Sequence, residues 1–155
     1  MTQTDNFAVV VTSIFSPNEE MQTLASTCQS MGKKFIVAGD SKSPVDFHLN
    51  GCQFLSLSEQ KSMGELGRLL PERTYARKNF AYLKAIGEGV DAIVETDDDN
   101  MPQKDFFLPR EMFVDGRKAD RSGWLNAYQY FSEKFIYPRG YPLDMVLPEW
   151  QQGRD

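Results

Sequence analysis

The chain has 155 residues, with 17 Lys and Arg against 22 Asp and Glu, a net charge of −5 and one histidine. That length suits one domain of about 150 residues, and 41% hydrophobic with 25% charged residues is an ordinary globular composition. No apolar run approaches a membrane span, and the polar start MTQTDN lacks the apolar stretch of a signal peptide. The acidic balance argues against a nucleic-acid-coating protein, whose affinity would come from phosphate neutralisation. Cys28 and Cys52 cannot form a disulfide scaffold and read as reduced thiols of a cytoplasmic chain. With a single His and no CxxC pair, a structural zinc site has no support.

The first element is the continuous apolar run Phe7–Thr12, as expected of a strand covered on both faces. Ser16-Pro17-Asn18-Glu19 reads as a capping box with Ser16 as the cap. The helix behind it carries Met21, Leu24, Ala25, Cys28 and Met31 on one face, and Gly32 supplies a left-handed stop. Lys34–Ala38 is a second apolar strand, broken by Gly39-Asp40 and the turn-rich Ser41–Pro44, which completes a βαβ unit.

Cys52–Leu57 is a third strand, and Ser58 caps a short helix with Met63, Leu66 and Leu70 that Pro71 interrupts. A stronger helix runs from Thr74 to Glu88, ended by Gly89, and Ala92–Thr96 is a strand leading into Asp97-Asp98-Asp99-Asn100. Strands separated by helices imply an α/β fold with a largely parallel, Rossmann-like sheet. Residues 101–155 hold five of the eight prolines and many aromatics, without strong periodicity. The expectation is one domain over 1–155, with a nucleotide- and metal-binding half (1–100) and an irregular extension (101–155).

The acidic triplet carries the sharpest chemistry. Ligands of open α/β sheets bind beyond the carboxyl ends of strands, and Asp97–Asp99 follow such an end. Two carboxylates 4 Å apart at an effective dielectric near 20 repel by roughly 4 kcal/mol. A divalent cation removes that cost, and oxygen-only ligands favour Mg²⁺ or Mn²⁺. If the backbone stays extended, Asp97 and Asp99 point the same way and could share one metal that grips a substrate diphosphate, with Asp98 pointing oppositely.

Asp40 at the end of the second strand could accept hydrogen bonds from a ribose or a base, or could serve only the turn. Thr12 and Ser13 end the first strand and are weaker candidates of the same kind. On an ideal helix of about 100° per residue, Arg73, Arg77 and Lys84 fall within roughly 40° of one another, a basic stripe able to meet an anion. Asn79 lies in the neighbouring apolar arc and needs a partner there. His48 has no nucleophile elbow beside it and reads as a surface residue. Met63, Met101, Met112 and Met145 read as packing residues. There is no P-loop and no GxGxxG fingerprint.

The order of strand, capped helix, strand ending in Gly39-Asp40 and strand ending in Asp97-Asp98-Asp99 resembles the nucleotide-sugar half of a GT-A glycosyltransferase. Several stretches resemble the STELLO-type glycosyltransferases, with a fainter likeness to reversibly glycosylated polypeptides (UDP-arabinopyranose mutases). They are Val9–Thr12, Val37–Pro44, Phe54–Gln60, Leu70-Pro71, Ala76–Lys78, Tyr82-Leu83 with Ala85-Ile86, Asp97–Asp99 and Tyr137–Leu143. The resemblance implies a sheet holding a nucleotide sugar, in all expectation a UDP-sugar, and a glycan or protein acceptor. It places Mn²⁺ or Mg²⁺ on Asp97 and Asp99, Asp40 at the base or ribose, and Arg77 and Lys78 as a basic pair; Thr12, Ser13 and Asp98, at strand ends, are further candidates for contact with the donor. It assigns no catalytic base. A sugar-nucleotide mutase and a non-catalytic nucleotide-binding scaffold are the alternatives. The aromatics Trp124, Tyr128, Tyr130, Phe131 and Tyr137 could pack, stack on a sugar or form a homodimer patch.

Overall fold

The computed structural model describes residues 3–116, 118, 123–142 and 144. It divides into two compact units, one through Val114 and one from Asp115.

The first unit is built on a four-stranded parallel sheet. After the two-residue β1 (Gln3–Thr4), β2 (Phe7–Thr12) forms the centre, flanked by β3 (Lys34–Ala38) and β5 (Ala92–Glu95), with β4 (Gln53–Leu55) beyond β3. Val9 pairs with Phe35 on one side and Val94 on the other. Every residue from Phe7 to Val11 is buried, which is why the strand is apolar throughout rather than alternating.

The two-residue period sorts these side chains into two cores. Phe7, Val9, Val11, Phe35 and Val37 pack under α1 (Glu19–Ser30) through Met21, Leu24, Ala25 and Cys28. Ala8, Val10, Ile36 and Ala38 face Phe80, Ala81 and Ala85 of α4 (Lys78–Gly87). Helices on both faces of a parallel sheet make the Rossmann-like α/β arrangement expected.

Several local details differ from expectation. The cap of α1 is Asn18, not Ser16: its side chain accepts the Met21 N–H at 2.9 Å, and the helix begins at Glu19. The third strand ends at Leu55 because Ser56 turns out of it to cap α2 (Leu57–Ser62), with Glu59 closing a capping box, so the cap is Ser56 rather than Ser58. The short helix is two, since α3 (Gly64–Leu69) follows a break at Met63. The helix expected from Thr74 opens instead with a 3₁₀ turn, Tyr75–Arg77, capped by the Thr74 hydroxyl. Gly32 and Gly89 hold the left-handed conformations (φ +66° and +73°) that end α1 and α4.

Met63 packs against the α4 core, but Met101 and Met112 are exposed, contrary to a packing role; Met145 lies outside the described residues. Antiparallel β6 (Arg110–Glu111) pairs with β1. His48 is exposed, as expected of a surface residue.

In the second unit, Asn126 caps a 3₁₀ turn (Ala127–Tyr130) by accepting from Tyr128 N–H, while its amide donates to the Ile136 carbonyl. Trp124 meets Tyr141 edge-on at 5.8 Å. Trp124, Tyr128, Tyr130, Phe131 and Tyr137 are exposed rather than packed away. Among the described residues no helix is long and apolar enough to cross a membrane.

Candidate functional site

A cleft of about 450 Å³ opens at the carboxyl ends of the strands in the first unit. Four segments line it: Thr12 to Phe15 after β2, Ala38 to Asp40 with Lys42 after β3, Arg73 to Tyr75 with Arg77 before α4, and Asp98 after β5. From β2 the chain proceeds to β3 and β4 on one side, then returns to β5 on the other. The carboxyl ends of β2 and β5 therefore form the topological switch point, where open α/β sheets bind ligands. Ser13 and Asp98 meet there, with the Ser13 hydroxyl donating to Asp98 Oδ2 at 2.6 Å.

The strand ends are fastened by side chains distant in sequence. Asn18, besides capping α1, donates through Nδ2 to the Asp98 carbonyl at 2.7 Å. Buried Gln60 donates to the carbonyls of Gly39 and Leu55 at 2.7 and 2.8 Å. Gly39 has no room for a side chain, since a Cβ there would lie 2.5 Å from the Phe54 ring. Asp40 uses Oδ1 to accept the Ser41 N–H and Oδ2 to accept the Thr74 N–H at 3.2 Å. It therefore joins the β3 loop to the α4 entry.

The acidic segment is a turn, not an extended strand end. The Asn100 N–H bonds back to the Asp97 carbonyl at 3.3 Å, so the alternation expected for extended backbone does not apply to Asp97–Asp99. Asp98, expected to point away, is the acid that lines the cleft. Asp97 is exposed and shares Lys78, whose ammonium lies 2.8 Å from Glu95 Oε1 and 3.3 Å from Asp97 Oδ1. Asp99 is exposed and makes no hydrogen bond or ion pair among the described residues. Among those residues there is no group of three or more His, Cys, Asp and Glu side chains placed to hold a metal.

The basic stripe does not form. Arg73 precedes the helix, and Lys84 pairs with Glu88 at 2.9 Å. Arg77 is only 2% exposed and donates to the carbonyls of Pro71 and Leu70 at 3.2 and 2.5 Å and to Gln60 Oε1 at 3.4 Å. A guanidinium out of water must have such partners, and its role is to fix the turn at the cleft wall. Asn79 is exposed and donates to the Ala76 carbonyl, so it does not lie in a buried apolar arc.

Lys78 is buried behind the acidic turn. Burial pulls its pKa down, but the hydrogen bonds and charges of Glu95 and Asp97 outweigh this and leave it above its usual value. Glu95 is held below its usual value by hydrogen bonds from Lys78 and Tyr82. Tyr82 is pushed up to about 12, by burial first and then by its hydrogen bond to Glu95.

Of the residues singled out in the sequence, Thr12, Ser13, Asp40, Arg77 and Asp98 converge on the cleft, while Lys78, Asp97 and Asp99 do not line it. The sequence reading did not single out Phe15, Lys42 or Tyr75 as site residues. Phe15 and Tyr75 are exposed rings at the cleft. For Phe15 the signal was available, because it sits between a strand end and a helix cap.

No protein-family model matches the chain. Two curated proteins of Arabidopsis thaliana do. The chain is similar to STELLO proteins. It is 28% identical over 158 residues to "Probable glycosyltransferase STELLO1", covering 93% of this chain, and 28% identical over 152 residues to "Probable glycosyltransferase STELLO2", covering 89%. The match agrees with the resemblance seen in the sequence. The chain spans about a fifth of the length of these relatives, since each alignment covers 20% of the longer protein.

Proposed function

We propose that this chain is the donor-binding part of a glycosyltransferase, taking a nucleotide diphosphate sugar, a UDP-sugar first, in the cleft between the ends of β2, β3 and β5. The observation that carries the reading is the cleft at the switch point, where Ser13 and Asp98 join the two strand ends. The likeness to two proteins named as glycosyltransferases supports the reaction class. Phe15 and Tyr75 offer apolar surface for a nucleobase.

The cation in this reading is Mn²⁺ or Mg²⁺, binding on the acidic turn together with the donor. Magnesium is usually held by one or two carboxylates plus substrate phosphates rather than by an all-protein cage. Asp97 retains an oxygen not engaged by Lys78, and the Asp99 carboxylate is unengaged among the described residues. Bound there, the cation would act as a Lewis acid on the diphosphate leaving group. Asn18 and Ser13 hold the turn that presents these carboxylates.

Calorimetric titration with UDP, with and without Mn²⁺, tests this reading. Binding should require or be strengthened by Mn²⁺, and Asp97→Asn and Asp99→Asn should remove the metal effect. UDP binding that is absent, or indifferent to metal and to both substitutions, would overturn the metal-dependent donor site. A transfer assay with a panel of UDP-sugars then separates a transferase from a binding scaffold.

A further inference from the structure

Arg73 is the sole non-glycine residue with positive φ (+58°) among those described. The left-handed conformation is unfavourable for a residue with a long side chain, where Gly or Asn would adopt it at little cost. Such strain persists only where the surroundings impose it. Here both ends of the turn are fastened. On one side the buried Arg77 guanidinium binds the carbonyls of Leu70 and Pro71. On the other side Asp40 Oδ2 accepts the N–H of Thr74, the residue next to Arg73. Two otherwise puzzling features, a buried arginine and a carboxylate turned onto backbone, both act to hold this turn.

The turn places an exposed guanidinium on the cleft. Three cationic and two acidic side chains line that cleft, in a protein of net charge −5. Arg77 is engaged by carbonyls, Asp98 by Ser13, and Asp40 by two backbone N–H groups. Arg73 and Lys42 remain, with no hydrogen bond or ion pair among the described residues. The two charged groups of the cleft without a hydrogen bond or ion pair among the described residues are thus both positive, which suits an anion with several acceptor oxygens.

We propose that Arg73, with Lys42 of the same cleft, binds the diphosphate of the ligand directly, and that the strained turn exists to present it. This rests on reading the cleft as a nucleotide diphosphate site, and it adds a protein cation to the grip expected from a metal.

The test uses Arg73→Gly and Arg73→Asn, both of which accept left-handed backbone. Binding of UDP, uridine and inorganic pyrophosphate is measured by calorimetry in EDTA and in Mn²⁺, alongside the melting temperature. UDP and pyrophosphate affinity should fall about tenfold to a hundredfold. Uridine affinity should hold, and the melting temperature should stay or rise by up to about 4 °C. A residue kept only for structure would not weaken phosphate binding while leaving the fold as stable or more so. Unchanged UDP and pyrophosphate affinity in both variants, or an equal loss for uridine, overturns the proposal. If wild type binds pyrophosphate but not UDP, and the variants lose it, Arg73 is an anion-binding residue and the nucleotide reading fails instead. If wild type binds neither, both fail.

Discussion

Replacing Asn18 by Asp separates two tasks that one side chain performs. Its Oδ1 caps α1 by accepting from Met21 N–H at 2.9 Å, and its Nδ2 holds the acidic turn by donating to the Asp98 carbonyl at 2.7 Å. Aspartate keeps the acceptor and is as good an N-cap, with about 0.3–1 kcal/mol gained from a carboxylate at the helix N-terminus. It has no donor, so it forfeits the second bond, about 1 kcal/mol net. The two terms nearly cancel, and Asn18→Asp should lie within about 1 kcal/mol of wild type. Asn18→Ala loses cap and latch together, about 1 kcal/mol each, for a total near 2 kcal/mol. Urea unfolding at neutral pH gives both values from the midpoints at constant m. Amide exchange at Asn100, whose N–H closes the turn onto Asp97, reports the latch independently. It should speed up in the Asp variant although global stability barely moves. Equal destabilisation by Ala and Asp would refute the capping role. Unchanged exchange at Asn100 in the Asp variant would refute the claim that Asn18 holds the acidic turn.

Gln60→Leu removes the amide from the Gly39 and Leu55 carbonyls and from Arg77, leaving buried polar groups unmet. A loss of about 3 kcal/mol in chemical unfolding is expected, and a loss under about 1 kcal/mol would contradict it. Burial pushes the Glu88 carboxyl up, but the ammonium groups of Lys34 and Lys84 outweigh it and hold the pKa below 4.5. The unfolded chain then takes up the proton first, so this stabilisation is full above about pH 4.5 and fades as the pH falls through the folded value. Glu88→Gln should therefore cost up to about 1 kcal/mol near pH 7 and much less near pH 3; an equal cost at both would refute the pairing. Burial raises the Cys28 and Cys52 thiols to about 12. A thiol-exchange reagent near pH 8 should label neither quickly in native protein and both after unfolding, and rapid native labelling of Cys28 would contradict its burial.

The sequence by itself determined the frame. The runs Phe7–Thr12 and Lys34–Ala38 are strands to the residue, because only a strand covered on both faces needs unbroken apolar sequence. Gly32 and Gly89 stop helices as their lack of a Cβ allows. The likeness to STELLO proteins was also carried by residues alone. Local signals misled where two caps competed. Ser56-Leu57-Ser58-Glu59 contains the capping-box spacing, yet the strand pattern drew the boundary past it, and Pro17 drew the first cap toward Ser16.

Tertiary structure decided what each charged side chain does. Arg77 and Arg73 differ by four positions and look alike on a helical wheel, but one lies inside binding carbonyls and the other stands exposed on the cleft. Asp98 rather than Asp97 faces that cleft because Ser13 and Asn18, 85 and 80 residues away in sequence, fasten the turn that the triplet makes. Periodicity describes what a residue's neighbours along one element do to it. A charge or an amide instead takes its position from the partner that offsets its desolvation, and here those partners come from other strands and loops.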